Sequence, residues 1–166
     1  RQLSGGNLQK VVLGREFSYR LVQMVSEYDD PFLQRGLDRL VKAELLFARG
    51  EPPQSTYAFK HALVQETAYL SLLRPKRAHY HGRTAQVLVE QFADIVELHP
   101  ELAAHHFSCG GRIEEAVDYW HRAGVRAMSI ANVEAAAHLR QALSRIADLP
   151  EGDSRRQREI KCLVSL

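Results

Sequence analysis

Cysteine is scarce in this chain, with only Cys109 and Cys162 among 166 residues. That excludes a disulfide framework and fits a reducing compartment. An excess of one charge sign is also missing: 22 Lys and Arg stand against 20 Asp and Glu, a net charge of +2. So small a balance gives no reason to expect nucleic acid or an anionic lipid surface as partner. No run approaches the roughly 18 apolar residues of a membrane span, and Arg1-Gln2-Leu3-Ser4 has neither the charged nor the apolar region of a signal peptide. The expectation is a cytoplasmic protein without a membrane partner. The sequence contains no G-x-x-x-x-G-K-[ST] phosphate loop and no nucleophile elbow. Neither catalytic residues nor a cofactor held by this chain alone are expected. The chain has no initiator Met and stops within the apolar-periodic stretch Lys161–Leu166, so it reads as a piece of a longer protein.

Hydrophobic residues make up 45% and charged residues 25%, the proportions of an ordinary globular protein. The length allows one or two domains. The most informative stretch is Leu45–Leu73. Two short aliphatic and aromatic runs, Leu45–Arg49 and Thr56–Lys60, flank Gly50-Glu51-Pro52-Pro53-Gln54-Ser55, whose glycine and prolines demand a turn. After His61 the apolar period changes from two to 3.6, with Leu63, Ala68 or Thr67, Tyr69–Leu70 and Leu73 on one face. A hairpin therefore runs directly into an amphipathic helix. Ahead of it, Pro31–Val41 places Leu33, Leu37, Leu40 and Val41 on one helical stripe, and an earlier helix is predicted over about Tyr19–Glu27.

Arg74–Arg83 is basic and interleaved with His79, Tyr80 and His81. The spacing favours a solvated helix face, with Tyr80 turned inward, over a phosphate or nucleic-acid site. Residues 101–148 read as helical hairpins. Leu102, Ala103, His106 and Phe107 make one stripe, Gly110-Gly111 breaks it, and Ile113, Ala116, Val117, Trp120 and Ala123 make the next, with Glu114, Asp118 and His121 on the outer side. Small residues at Ala116, Ala123, Ala135, Ala136 and Ala142 allow close helix approach. The spacing of the histidines is poor for metal ligation. His79 and His81 are i, i+2 and His105 and His106 are adjacent, so neither couple shares a helix face, no Cys or carboxylate completes a tetrahedral set, and no metal is expected.

Two family resemblances add to this. Residues 3–16, LSGGNLQKVVLGRE, resemble the signature motif of ABC transporter ATPases, in which Ser4, Gly5 and Gly6 would present hydroxyl and N–H groups to a nucleotide phosphate. Without a phosphate loop or a following Walker-B strand, this motif cannot hold ATP alone. From about Val12 onward, VVLGREFSYRLV, LDRLVKAELLF, TYAFKHALVQETAYLSLL, PELAAHHF and ANVEAAAHLRQAL resemble the region after the ATPase module of bacterial STAND-type signalling proteins. Those proteins are coupled to adenylate or guanylate cyclase or LuxR-type output domains. The resemblance implies a mainly α fold: a winged-helix-like domain with a small β-hairpin over 17–74, a connecting helix over 75–99 and TPR-like α-solenoid hairpins over 100–166, behind the 1–16 segment. The Glu115-Ala116 and Glu134-Ala135 pairs lie closer together than the roughly 34-residue TPR period, so the repeats are irregular. It implies ATP or ADP in the parent protein, an upstream nucleotide-binding module as one partner and a protein partner on the repeats.

His61 is the site residue this resemblance singles out. In STAND relatives a histidine opening the last winged-helix helix hydrogen-bonds the ADP phosphate; here the motif reads Lys60-His61-Ala62, without the usual Asp. The implied function is a non-catalytic regulatory and protein-interaction segment that relays nucleotide state. A DNA-binding winged-helix regulator is the alternative, and Asp38 and Glu44 among Arg35, Arg39 and Lys42 count against it. A remnant of an ABC-type ATPase is the third reading.

Overall fold

The turn that the glycine and prolines demanded is the pivot of the first of two units. A computed structural model describes residues 16–129 and 131–166. The chain divides between Arg77 and Ala78. In the first unit β1 (Glu16–Ser18) leads into α1 (Tyr19–Val25) and α2 (Asp30–Lys42). A hairpin of β2 (Leu46–Arg49) and β3 (Thr56–Phe59) follows, and then α3 (Ala62–Ser71). Gly50 has φ +77, the left-handed conformation that glycine adopts without strain.

β3 lies between the other two strands in an antiparallel order β1-β3-β2, with Phe17 opposite Tyr57 and Leu46 opposite Phe59. The hairpin was legible in the sequence; β1, only three residues long, was not. Its role is clear from what it brings: Phe17 stacks on Tyr57 at 5.6 Å between ring centres. Tyr19, Leu37, Leu46 and Tyr57 form the core, with Phe17, Leu33, Val41 and Phe59 against it. Leu33, Leu37 and Val41 of the expected stripe thus face the sheet, while Leu40 is exposed.

Local chemistry sets the helix starts. Ser18 Oγ accepts from Leu21 N–H at 3.2 Å, and an Asp29 carboxylate oxygen accepts from Phe32 N–H at 2.9 Å just before Pro31. The Tyr19 hydroxyl donates to Asp30, whose carboxylate also accepts from Gln23 at 2.6 Å and Gln34 at 2.8 Å. Asp30 thereby ties α1 to α2.

The second unit is helical. It comprises the greater part of α4 (Arg74–Gln91), then α5 (Ala93–Leu98), α6 (Pro100–Cys109), α7 (Ile113–Ala127), α8 (Asn132–Ile146) and α9 (Asp153–Val164). The division falls inside α4, so residues 75–99 are one long helix shared by both units plus a short second one, and not a single connecting helix. Leu102, Ala103, His106 and Phe107 are all buried, as their stripe required. The break at Gly110-Gly111 is a tight turn in which Gly111 has φ +75.

α7 packs on both α6 and α8. Ala116, Ala123, Ala135 and Ala142 are buried at these seams. Val117, Ala142, Ile146, Leu149 and Cys162 form a core cluster, with Ile113, Trp120 and Leu143 at its margin. Arg158 of α9 reaches back to Glu114 at 3.1 Å and Asp118 at 3.2 Å. Among the described residues the structure is mainly helical with one small antiparallel sheet, and no helix is long and apolar enough to cross a membrane.

His121 departs from its expected outer position. It is buried, with Nε2 3.1 Å from Ser165 Oγ. α9 folds over that side of α7, a long-range contact that helical periodicity does not encode. Burial and then the Lys161 ammonium hold the His121 pKa down, against the opposing pull of the Lys161 carbonyl and the Asp118 carboxylate. A histidine depressed in the folded state disfavours protonation there, so it leaves stability intact above its unfolded pKa near 6.5 and subtracts from it as pH falls below. The second unit should unfold at lower urea on going from pH 7.5 to pH 5, and His121→Gln should flatten that slope; equal slopes for both proteins would assign the acid sensitivity elsewhere.

Candidate functional site

The first unit presents an apolar helix face that nothing in its own core covers. No residue of α3 is buried. Leu63 is 75% exposed, Leu70 59% and Leu73, just beyond the helix, 78%. Amphipathic spacing ordinarily signals a face turned to a core; here the same spacing marks an open surface. Arg77 lies over the Tyr69 ring at 5.0 Å and covers part of it.

His61 sits at the N-cap of α3 with extended backbone dihedrals, and its side chain makes no capping hydrogen bond. Its carbonyl accepts from Val64 N–H at 3.1 Å and Gln65 N–H at 3.3 Å. The imidazole is exposed beside the first turn. The backbone therefore starts the helix without it. Ser4, Gly5 and Gly6 of the ABC-like segment lie outside the described residues.

A second group of side chains corrects the expectation that no cysteine joins the histidines: Cys109 lies beside two of them. His105 and Cys109 are i, i+4 on α6, one turn apart on the same face, and His105 Nε2 lies 3.8 Å from Cys109 Sγ. His81 of α4 joins them, and one donor atom from each of the three lies within 4.8 Å of the others. His106, buried next to them, places its Nδ1 2.9 Å from His81 Nδ1. Spacing along one helix was visible in H-x-x-x-C; the third member comes from another helix, which no local pattern specifies.

Backbone packing brings α4 there. A methyl group built on Gly110 would lie 2.7 Å from Gly82 N and 2.8 Å from Gly82 Cα. Gly82 follows His81 and Gly110 follows Cys109. The two helices thus approach backbone to backbone one residue away from the side chains in question. Arg112, from the turn beyond, donates to Gln86 of α4 at 2.6 Å and to Glu115 at 2.8 Å, which holds the same seam.

Partial burial, then the charge of Arg145, lowers the His105 pKa and favours neutral imidazole. The Cys109 thiol is pushed up by desolvation, with Arg145 pulling the other way. A thiol held up is a poor resting nucleophile, and among the described residues no third group orients His105 as a base. The arrangement suits ligation better than acyl transfer. The cleft of about 500 Å³ lined by Tyr28 and by Phe32, Leu33, Leu37 and Leu40 of α2 has no Ser, Cys, His or carboxylate in its lining.

Comparison with known proteins adds little chemistry. No family model matches the chain, and no solved structure matches it. An uncharacterized protein of Rhizobium meliloti (strain 1021) is 26% identical over 157 residues, covering 93% of this chain. The chain spans about 15% of that relative's length.

Proposed function

We propose that this chain is a non-catalytic regulatory and protein-interaction segment of a larger signal-transduction ATPase. In this reading the first unit is a winged-helix-like arm that relays nucleotide state, and the helices from Pro100 onward are TPR-like hairpins that bind a protein partner. The observation that carries it is the group of exposed apolar side chains Leu63 and Leu70 of α3 and Leu73 just beyond it, opening directly after a hairpin and headed by an exposed His61 whose side chain caps nothing. An apolar helix face of this size on a small unit marks a contact surface, and the upstream nucleotide-binding module is its occupant. The sheet order and short hairpin fit a winged helix. Alternate packing of α7 against α6 and α8 fits stacked repeats, where each helix pair rests on its neighbours. That the matching relative is several times longer supports a place within a multidomain protein. The DNA-binding alternative would need α2 to carry a continuous basic face, and Asp30, Asp38 and the apolar Phe32 and Leu40 interrupt its Arg35, Arg39 and Lys42.

Two measurements test this. The isolated chain should neither hydrolyse ATP nor bind it with a dissociation constant tighter than about 100 μM, roughly −5.5 kcal/mol; calorimetry that finds tighter binding would overturn the non-catalytic reading. In the full-length parent, an imidazole donating to an ADP phosphate in the closed state contributes about 1.5–3 kcal/mol. His61→Ala should then raise the open population and speed ADP release by roughly ten- to a hundredfold. Because the side chain caps nothing in α3, the isolated chain should melt unchanged. Equal ADP release from wild type and variant would remove His61 from the relay, and a full-length protein that binds no adenine nucleotide would remove the ATPase.

A further inference from the structure

We propose that His81, His105 and Cys109 bind a single zinc-class divalent cation, held by two imidazoles and one thiolate with water in the fourth position. The donor set is one that borderline-soft metals prefer: imidazole and thiolate select zinc over the hard, oxygen-seeking magnesium and calcium. Its geometry is close to what a tetrahedral ion needs. Metal bonds of about 2.0–2.1 Å to nitrogen and about 2.3 Å to sulfur put neighbouring donors roughly 3.3–3.7 Å apart. His105 Nε2 and Cys109 Sγ are already 3.8 Å apart, and the three donors fall within 4.8 Å of one another before any ion draws them in. A pair at the outer limit of 4.8 Å has to close by roughly 1.1–1.5 Å, a movement that rotation of the two side chains shares between them.

Two further features of the fold support the assignment. The first is the close approach of Gly82 and Gly110, which fixes the backbone beside His81 and Cys109 and so fixes the span the ion must bridge. The second is His106, whose Nδ1 contact with His81 sets the plane of that ring, as outer partners of metal-bound histidines do. The exposure of Cys109 gives an entry path and room for a water. On binding, the Cys109 thiol loses its proton to solvent as the sulfur–metal bond forms, and the two imidazoles ligate as neutral bases. One cation and one thiolate leave a net single positive charge, so Arg145 nearby opposes binding less than it would oppose a bare divalent ion. The ion would clamp α4 to the C-terminal end of α6. The inference is independent of any nucleotide role for the parent protein.

The test uses the whole 166-residue chain, reduced and stripped of metal, titrated with Co²⁺ as a spectroscopic probe and then with Zn²⁺ in competition. The expected result is one Co²⁺ per chain, with a thiolate-to-cobalt charge-transfer band and the intense visible bands of tetrahedral cobalt, displaced by one equivalent of Zn²⁺. Cys109→Ser, at an exposed position, should abolish the charge-transfer band. His81→Gln and His105→Gln should each weaken Zn²⁺ by at least about tenfold, while His79→Gln, two residues from His81 on α4, should leave affinity unchanged. Circular dichroism of each variant shows whether it remains folded. Absence of a charge-transfer band at one equivalent, a band that survives Cys109→Ser, or equal weakening by His79→Gln would each overturn the site.

Discussion

Trp120→Ala is expected to lower the stability of the second unit by about 3–4 kcal/mol. The indole borders the cluster of Val117, Ala142, Ile146, Leu149 and Cys162. It stacks on the His138 ring at 5.5 Å and 25°, and its Nε1–H donates to Ser108 Oγ at 3.0 Å. Truncation removes all three at once and leaves Ser108 with only the Ala104 carbonyl, to which it donates at 2.8 Å. Partial exposure of the ring keeps the figure below the 5 kcal/mol end of the range for buried aromatics. Trp120→Phe should keep the packing and lose the hydrogen bond, at about 1 kcal/mol. The protein has one tryptophan, so urea unfolding must be followed by circular dichroism. An unchanged midpoint for Trp120→Ala would mean that the ring serves a partner surface and not the unit's own core.

What was legible in the sequence followed from local rules. Gly50 and the two prolines dictated the turn, and two apolar runs around it dictated β2 and β3. The stripe from Leu102 to Phe107 and the stripe from Ala116 to Ala123 both turned inward because 3.6-residue spacing on a helix with one polar side leaves little choice. The failures share one cause. Periodicity states which residues share a face and never what that face meets. Leu63 and Leu70 on α3 and Leu73 beyond its end stand in the open, and His121, expected on the side of Glu114 and Asp118, lies under α9. β1 is three residues long, below any pattern, and exists because β3 offers it an edge. His81 reaches His105 and Cys109 through a contact between helices far apart in sequence, and the glycine pair permitting it reads locally as a turn signal at Gly110 and a mild helix defect at Gly82.

That pair carries the last prediction. Gly110 closes α6 in ordinary right-handed helical geometry, with φ −83 and ψ −3. On propensity alone, alanine there should stabilise the helix by up to about 1 kcal/mol. The contact reverses the sign. The added methyl would meet backbone atoms of Gly82 at 2.7 and 2.8 Å, and the His106 carbonyl at 3.1 Å, none of which can turn away as a side-chain tip could. Relief requires α4 and α6 to move apart, and both helices carry buried residues that such a shift disturbs, Ala85 and Leu88 on one and Leu102 and Phe107 on the other. Gly110→Ala should therefore cost about 3 kcal/mol, the upper part of the range for overpacking. Gly82→Ala is the internal control: its own methyl would find nothing within 4 Å, so it should be neutral or stabilising by up to about 1 kcal/mol. Thermal unfolding of the two variants beside wild type decides the matter. A Gly110→Ala protein as stable as wild type would show that the helices tolerate separation, and that the distance between His81 and Cys109 is set by something other than their glycines.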